Sequence, residues 1–367
     1  MSKIDVSVVM ATYNHAPFVA DAMKSVLTQE GVSIEFLIAD DGSKDNTPSA
    51  VRKITDERIR FTAHEINRGA CITTNELIQN AQGKYIAIIN SDDRWIDPKK
   101  LLKQVNLLHE NPNIGASFGR ARYIDQHGTP IAKSTLHFGS VFDKENRSRG
   151  AWLRHFFDHG NCLLHPSVLI RRSCYDELGL YDNRYRQLPD FDMWIRLVKR
   201  HDIHISEEDY VEFRILPGEN ASSQTAANSI RTINEHYLIA RHFFDGVRAE
   251  DLLEGFSDQR LGNLENPKCV EIEAALLLLG LNGTYSPDLA NPYKIAALEK
   301  LFALLGDEST RPLLAPYGID DMWFQKRMSE VATLRFRVDL QPPPSAPETE
   351  RKRRNIKKLF KKLMRRP

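Results

Sequence analysis

The 367-residue sequence has few cysteines, and none lies in a recognisable pair. The four cysteines, at positions 71, 162, 174 and 269, include no Cys-x-x-Cys spacing. A zinc site or a thiol redox motif therefore has little support, and a reduced, cytosolic setting fits. The sequence also has no apolar run near the roughly 20 residues that a helix needs to span a bilayer. The first residues show no signal-peptide pattern, so we expect a cytoplasmic protein.

Net charge is nearly absent as well. The chain carries 50 lysines and arginines against 49 aspartates and glutamates, a formal charge of +1. No global field attracts it to nucleic acid, and we expect no nucleic-acid partner. The balance hides a basic C-terminal segment, so the rest of the chain is mildly acidic. With 41% hydrophobic residues, the composition is that of an ordinary globular protein with two or three domains.

Strand-like and helix-like patterns alternate over the first third of the chain. Apolar stretches that predict strands lie at residues 4–11, 34–39, 58–62, 85–89 and 114–118. Such alternation indicates right-handed crossovers and a mostly parallel sheet. Beyond about residue 224 the hydrophobic spacing becomes helical. We therefore predict a Rossmann-like α/β fold with flanking helices, followed by a C-terminal helical region.

Acidic pairs follow two of the predicted strands. Asp40 and Asp41 come after the second strand, and Asp92 and Asp93 come after the fourth. Ligands of such sheets bind beyond the carboxyl ends of the strands, so both pairs would face one crevice. Carboxylates there suit Mg²⁺ or Mn²⁺, which bind diphosphates with the help of one or two carboxylates. Each pair alone also fits a polar loop that caps the next helix, and the presence of two favours a ligand site.

Two further motifs carry candidate functional residues. Thr12, Tyr13 and Asn14 end the first strand and fit either a nucleobase pocket or a plain strand-to-helix turn. Asp190 and Asp192 open a helical pattern, where the helix dipole alone favours acidic residues. A carboxylate facing a metal-bound diphosphate would instead serve as a general base.

Together these motifs resemble the family-2 inverting glycosyltransferases, which have the GT-A fold. The resemblance covers about residues 4–215, and the matching segments, in the family's order and spacing, are 8–14, 36–47, 67–69, 86–93, 178–182 and 190–197. It implies transfer of a sugar from a nucleotide diphosphate, with UDP favoured, to a hydroxyl of a glycan or lipid-linked acceptor. Cell-surface polysaccharide or glycolipid synthesis would be the setting. Asn90 stands where the family often has aspartate.

The resemblance also implies a role for each matching position. The expected roles are Tyr13 and Asp40 at the nucleobase, Thr12, Asn14, Asp41 and Arg68 beside the nucleotide-sugar, Asp92 near the ribose, Asp93 as ligand of Mn²⁺ or Mg²⁺, and Asp190 as catalytic base. The alternative is a non-catalytic nucleotide-sugar-binding or scaffolding protein. The presence of both Asp93 and Asp190 argues against it.

The last residues predict a membrane-binding tail. We expect a GT-A catalytic domain over 1–220, with a nucleotide-binding half at 1–120 and an acceptor half at 121–220, a helical accessory domain at 221–340, a proline-rich linker at 341–350 and a basic amphipathic tail at 351–367. Ten lysines and arginines lie in this tail, beside apolar residues at helical spacing, as in an interfacial helix. A solvated tail or a nucleic-acid patch would not need that spacing. The tail therefore predicts peripheral association with an anionic membrane surface at the inner face of the cell membrane.

Overall fold

A computed structural model describes residues 4–216, 225–259, 261–262, 264–281 and 287–331. The predicted linker at 341–350 and the predicted tail at 351–367 lie outside the described residues. Within the described ranges, no helix combines the length and apolar character that crossing a membrane requires.

One sheet of nine strands organises the first 216 residues. The strands are β1 (Val6–Thr12), β2 (Ile34–Asp40), β3 (Ile59–Ala63), β4 (Tyr85–Ile88), β5 (Arg94–Trp95), β6 (Ile114–Ile124), β7 (Pro130–Ile131), β8 (Leu169–Arg171) and β9 (Asp202–Arg214). Their spatial order is β3-β2-β1-β4-β8-β6-β9-β5, and β7 pairs with β6.

Helices cover both faces of this sheet and form the C-terminal region. They are α1 (Val19–Leu27), α2 (Thr47–Arg52), α3 (Ala70–Asn80), α4 (Lys100–Glu110), α5 (Arg149–His159), α6 (Arg172–Leu178), α7 (Pro189–Val198), α8 (Ala226–His242), α9 (Ala249–Gly255), α10 (Pro267–Gly280), α11 (Pro287–Gly306), α12 (Arg311–Leu314) and α13 (Asp321–Glu330). The predicted α/β fold with an added helical region is confirmed.

The sheet is parallel in its first half and mixed in its second. Strands β3, β2, β1 and β4 pair in parallel, as the alternation of strands and helices predicts. Strand β8 then inserts antiparallel between β4 and β6. The long strand β9 has no predicted counterpart because its pairing with β6 is interrupted by register shifts, which break the alternation of apolar and polar residues.

Side chains of each strand alternate between two cores. Val8 and Met10 of β1 pack with α1, α2 and α4, whereas Val9 packs with α3, α5 and α7. Helices α8, α10 and α11 extend the core that contains Val9, because Ile239, Leu277 and Ala296 belong to the same buried cluster. Much of the helical region thus rests on the face of the sheet that carries α5 and α7. The predicted domain boundary at residue 220 stays a prediction.

Candidate active site

The carboxyl ends of β1, β2 and β4 meet at one edge of the sheet. Strand β1 lies between the other two, with Thr12 opposite Asp40. The loop after β1 is bonded to both neighbouring loops. The His15 amide donates to Thr47 Oγ1 at 2.8 Å, and His15 Nδ1 lies 2.7 Å from Ser91 Oγ. The two acidic loops therefore border one crevice.

The three residues that end β1 differ in their surroundings. Thr12 is buried, and its hydroxyl has no hydrogen-bond partner among the described residues. Tyr13 is 40% exposed, so its ring is accessible at the crevice. Asn14 adopts φ +55°, the one positive value for a non-glycine residue in the described chain. Its backbone amide donates to Ser43 Oγ at 2.8 Å, and its side-chain oxygen accepts from the Lys44 backbone amide at 2.8 Å. Asn14 thus fixes the loop after β2.

Asp40 lies in the turn that follows β2. Its carboxylate accepts from the Ser43 amide at 2.9 Å and from Ser43 Oγ at 2.5 Å. Gly42 has φ +74°, and a Cβ there would lie 2.5 Å from the carbonyl carbon of Ile66. Only glycine allows this approach. A carboxylate has about four acceptor sites, so Asp40 keeps capacity for a further donor.

Asp41 anchors the segment that leads into α3. Its oxygens accept from the amides of Arg68 at 2.8 Å and Gly69 at 2.9 Å, and from Thr73 Oγ1 at 2.9 Å. These bonds fix the backbone at Arg68. The Arg68 side chain pairs with Glu76 at 2.5 Å and is 43% exposed at the rim. Asp41 therefore positions this segment.

The acidic pair after β4 is buried as well. Asp93 accepts from Asn90 Nδ2 at 2.9 Å and from the Arg214 amide at 2.8 Å. Burial raises the pKa of Asp92 and raises that of Asp93 well above its usual range, and the charge of Asp92 raises the Asp93 pKa further. The amide of Asn90 stabilises the Asp93 carboxylate, whereas a third carboxylate there would add repulsion.

These residues fit a divalent cation that takes most of its ligands from a bound diphosphate and from water. In the part of the chain that the structure describes, no three or more His, Cys, Asp or Glu side chains are grouped to hold a metal. Burial raises the pKa of both Asp92 and Asp93, and the charge of Asp92 raises that of Asp93 further; a cation at the pair would stabilise the charged form of both carboxylates. The remaining ligands would be diphosphate oxygens and water, the usual arrangement for Mg²⁺ in nucleotide sites.

Arg214 secures the acidic loop from the end of β9. Its Nε donates to the Asp92 carbonyl at 2.8 Å, and its Nη1 donates to the Asp125 carbonyl at 3.0 Å. The guanidinium also lies 4.8 Å from the ring centroid of Phe18. Sequence reasoning missed this residue, because Arg214 and Asp93 are 121 positions apart and no local pattern links them.

Asp190 lies at the start of α7, directly after Pro189. Its Oδ1 accepts from the Phe191 amide at 2.8 Å, and its Oδ2 accepts from Asn161 Nδ2 at 2.6 Å. Burial raises the pKa of Asp190, while the charge of His165 and these hydrogen bonds act in the opposite direction. The side chain remains partly exposed, so it combines access with a raised proton affinity. No sequence signal identified Asn161.

His165, whose charge acts on the pKa of Asp190, belongs to a set of hydrogen bonds that reaches α3. His165 Nε2 lies 3.0 Å from the Tyr181 hydroxyl, and the Tyr181 carbonyl accepts from Asn75 Nδ2 at 2.7 Å. Asn75 belongs to α3, the helix that the acidic turn after β2 anchors. Trp95 Nε1 donates to the Pro166 carbonyl at 2.9 Å, which links the β4 loop to the same segment. These bonds tie the segment at His165 and Pro166 to α3 and to Trp95, which follows the acidic loop after β4.

Asp192, the alternative candidate for the base, forms an ion pair with Arg196. Its carboxylate lies 2.8 Å from Arg196 Nη2. Arg196 also donates to the Leu178 carbonyl at 2.7 Å and to the Leu180 carbonyl at 3.0 Å. Asp192 therefore supports the segment before α7, and Asp190 is the better placed acceptor of a proton.

Comparison with known proteins identifies the class. The family model described as Glycosyl transferase family 2 matches residues 7–172. The chain is 34% identical over 198 residues to the UDP-Glc:alpha-D-GlcNAc-diphosphoundecaprenol beta-1,3-glucosyltransferase WfgD of Escherichia coli, covering 54% of this chain and 71% of that protein. It is 29% identical over 225 residues to the putative teichuronic acid biosynthesis glycosyltransferase TuaG of Bacillus subtilis, covering 60% and 83% of the two chains.

The fold has solved counterparts. The crystal structure of S. aureus TarS 1-349 in complex with UDP-GlcNAc superposes with a TM-score of 0.56 at 18% identity, covering 81% of this chain and 88% of that one. The protein belongs to glycosyltransferase family 2 and has the GT-A fold, as the sequence motifs predict.

Proposed function

We propose that this glycosyltransferase moves a sugar from a UDP-sugar to a hydroxyl of a lipid-linked glycan, with inversion at the anomeric carbon. The observation that carries the proposal is Asp190, a partly exposed carboxylate with a raised pKa beside the crevice of the two acidic loops. The relatives' names support a cell-surface polysaccharide setting. That of WfgD specifies a UDP-glucose donor and a diphosphoundecaprenol-linked acceptor.

The donor would lie along the carboxyl edge of β1, β2 and β4. Tyr13, 40% exposed, offers its ring to the base, and Asp40 would accept from a ring nitrogen. Arg68 at the rim would face the nucleotide. Asp92 would lie nearer the ribose, with Asp93 behind the diphosphate.

Mn²⁺ or Mg²⁺ would be held by Asp93, with Asp92 adjoining. When bound, such a cation neutralises the charge that grows on the departing diphosphate. Arg214 and Asn90 keep the two carboxylates in place, because they bond to the Asp92 carbonyl and to both oxygens of Asp93.

The chemical step would be a single displacement. The acceptor oxygen bonds to the anomeric carbon as the bond from that carbon to the diphosphate oxygen breaks, and Asp190 takes the acceptor's proton. The raised pKa favours this transfer. Bonds from Asn161 and from the Phe191 amide hold the carboxylate in one orientation. No covalent intermediate forms, so the configuration inverts.

We further propose that the enzyme works at the inner face of the cell membrane. The basic and apolar spacing of residues 351–367 supports this. A lipid-linked acceptor would then lie within reach of the catalytic domain.

The direct test is release of UDP from a panel of UDP-sugars by the purified full chain. We expect release with Mn²⁺ or Mg²⁺, acceleration by lipid-linked glycan acceptors, and loss in EDTA. If no UDP-sugar is turned over with any divalent cation or acceptor, the proposal fails, and a binding or scaffolding role takes its place.

A further inference from the structure

The loop before the candidate base is bonded to a side chain of the helical region. Glu235 of α8 is buried, with 4% of its surface exposed. Its Oε1 accepts from the Arg186 backbone amide at 2.9 Å, and its Oε2 accepts from the backbone amides of Gln187 and Leu188, each at 2.8 Å. Three consecutive amides therefore converge on one carboxylate, which lies 49 positions after the first of them.

This carboxylate replaces a cap that the local sequence lacks. Helix α7 begins at Pro189, which has no N–H, and its N-cap residue Leu188 makes no side-chain capping bond. Amides at the start of a helix need acceptors from elsewhere, and a carboxylate there also interacts favourably with the helix dipole. Backbone N–H groups bond more strongly to a carboxylate than to a neutral acceptor. Glu235 therefore fixes the backbone at the point where α7 begins.

The next residue of α8 contacts the other side of the base. The ring of His236 meets the ring of Phe191 edge-on, with centroids 5.8 Å apart, and the Phe191 amide donates to Asp190 Oδ1 at 2.8 Å. Burial lowers the pKa of His236 to about 4, so the ring is neutral near pH 7 and packs as an aromatic group. Asp190 thus lies between two segments that adjacent positions of α8 hold in place.

Helix α8 is itself fixed on both sides. Its Ile239 belongs to the buried core that contains Val9. On the other side, the Tyr237 hydroxyl donates to Glu299 of α11 at 2.9 Å, and Arg241 Nε lies 2.9 Å from the same carboxylate. The bonds to residues 186–188 therefore start from a helix that is packed against both the core and α11.

The position of this loop bears directly on the proposed chemistry. Leu188 precedes Asp190 by two residues, so a shift of its backbone would move the carboxylate. A general base must lie within hydrogen-bond reach of the proton it takes, and a displacement of about 1 Å can lower a rate roughly 10²-fold. The donor residues Asp40 and Asp93 follow other strands. Loss of the Glu235 bonds should therefore affect the chemical step and leave donor binding intact.

We propose that Glu235 is a positioning residue for sugar transfer, which sets the place of Asp190 through the backbone of residues 186–188. The helical region then takes part in catalysis from outside the donor crevice, because α8 holds the start of the helix that carries the base. This inference rests on the proposed function, in which Asp190 accepts the proton.

Kinetics of two Glu235 variants of the full chain test the proposal. The substrate is the UDP-sugar of the panel that the unaltered chain hydrolyses fastest with Mn²⁺. Glu235→Ala removes all three bonds, so kcat should fall roughly 10²-fold, while KM and the affinity for UDP in calorimetry stay unchanged. Glu235→Gln keeps one oxygen, which can accept from Gln187 and Leu188, so its loss should be smaller, about tenfold. Tyr237→Phe is the matched control on the same helix and should keep the parent kcat.

Two further measurements show whether Glu235 acts through Asp190. In the Asp190→Asn background, Glu235→Ala should lower the remaining rate less than about threefold, because residues that act as a unit are not additive. Hydrogen exchange of the amides at 186–188 should be faster in both Glu235 variants than in the parent, since the bonds that protect them are lost or weakened. Should Glu235→Ala not fold, Glu235→Gln serves for each comparison.

Parent-like kcat in the Glu235 variants, an equal loss of rate in the parent and Asp190→Asn backgrounds, or unchanged exchange of the three amides would overturn the proposal. A loss of UDP affinity as large as the loss of kcat would overturn it too, because it would indicate general damage to the site. Failure of the proposed function gives a different result. Asp190→Asn would then turn over like the parent, or the unaltered chain would hydrolyse no UDP-sugar, whereas hydrogen exchange would still report whether Glu235 holds the loop.

Discussion

Replacing Asp190 by asparagine separates proton acceptance from the other properties of the site. The side-chain oxygen of the asparagine can still accept from the Phe191 backbone amide, which lies 2.8 Å from Asp190 Oδ1 in the unaltered chain. The amide nitrogen would face Asn161 Nδ2, so one hydrogen bond is lost unless Asn161 rotates. That loss costs about 1 kcal/mol of unfolding free energy. Removing a carboxylate whose burial already raises its pKa offsets part of it. The variant should therefore fold.

The kinetic effect should be much larger. Loss of a general base lowers the rate on the order of 10²–10⁴-fold, which is about 3–5 kcal/mol of activation free energy. Turnover of UDP-sugar with acceptor measures it, and calorimetry with UDP and Mn²⁺ should show unchanged affinity. Asp192→Asn is the matched control on the same helix. It loses the ion pair with Arg196 but should keep turnover within a few-fold. Near-normal turnover in Asp190→Asn would refute the assignment of the base.

Three further predictions address the cation, the pH profile and the tail. Asp93→Ala should abolish the increase in UDP affinity that Mn²⁺ gives in calorimetry, and an identical increase in variant and parent would contradict Asp93 as a ligand. Asn161→Ala removes a donor that stabilises the charged form of Asp190, so its pKa should rise further. The base acts in its deprotonated form, so the acid limb of the pH–rate profile should move to higher pH in this variant than in the parent. An acid limb at the same pH in both would count against the assignment. A chain ending at Gln341 should stay in the supernatant with anionic vesicles at low salt while the full chain sediments, and the membrane proposal fails if both stay behind.

The meeting of the two acidic loops at one edge of the sheet could be predicted from sequence because both loops follow strands directly. Parallel strands place their carboxyl ends at one edge, so the topology requires Asp40 and Asp93 to border one crevice. The same reasoning cannot tell which carboxylate faces a ligand. Asp41 follows Asp40 immediately, and its carboxylate accepts from two amides and from Thr73, so it also anchors α3.

The supports of the site were beyond sequence reasoning because they act through tertiary contacts. Asn161 lies 29 positions before Asp190, in a segment with no strand or helix periodicity. Arg214 bonds to the acidic loop from β9. The register of this strand with β6 is irregular, so the sequence shows no clear strand pattern there. His165 lies within hydrogen-bond distance of Tyr181, whose carbonyl accepts from Asn75 of α3, and no local pattern links these positions.

The stereochemistry of the first sugar released tests the central claim most directly. Proton NMR of a reaction started with an α-linked UDP-sugar and Mn²⁺, with water as the acceptor, reads the anomer formed before mutarotation. If Asp190 activates the water oxygen for a single displacement, the β-anomer should appear first. Initial appearance of the α-anomer would contradict the single displacement and require a different mechanism.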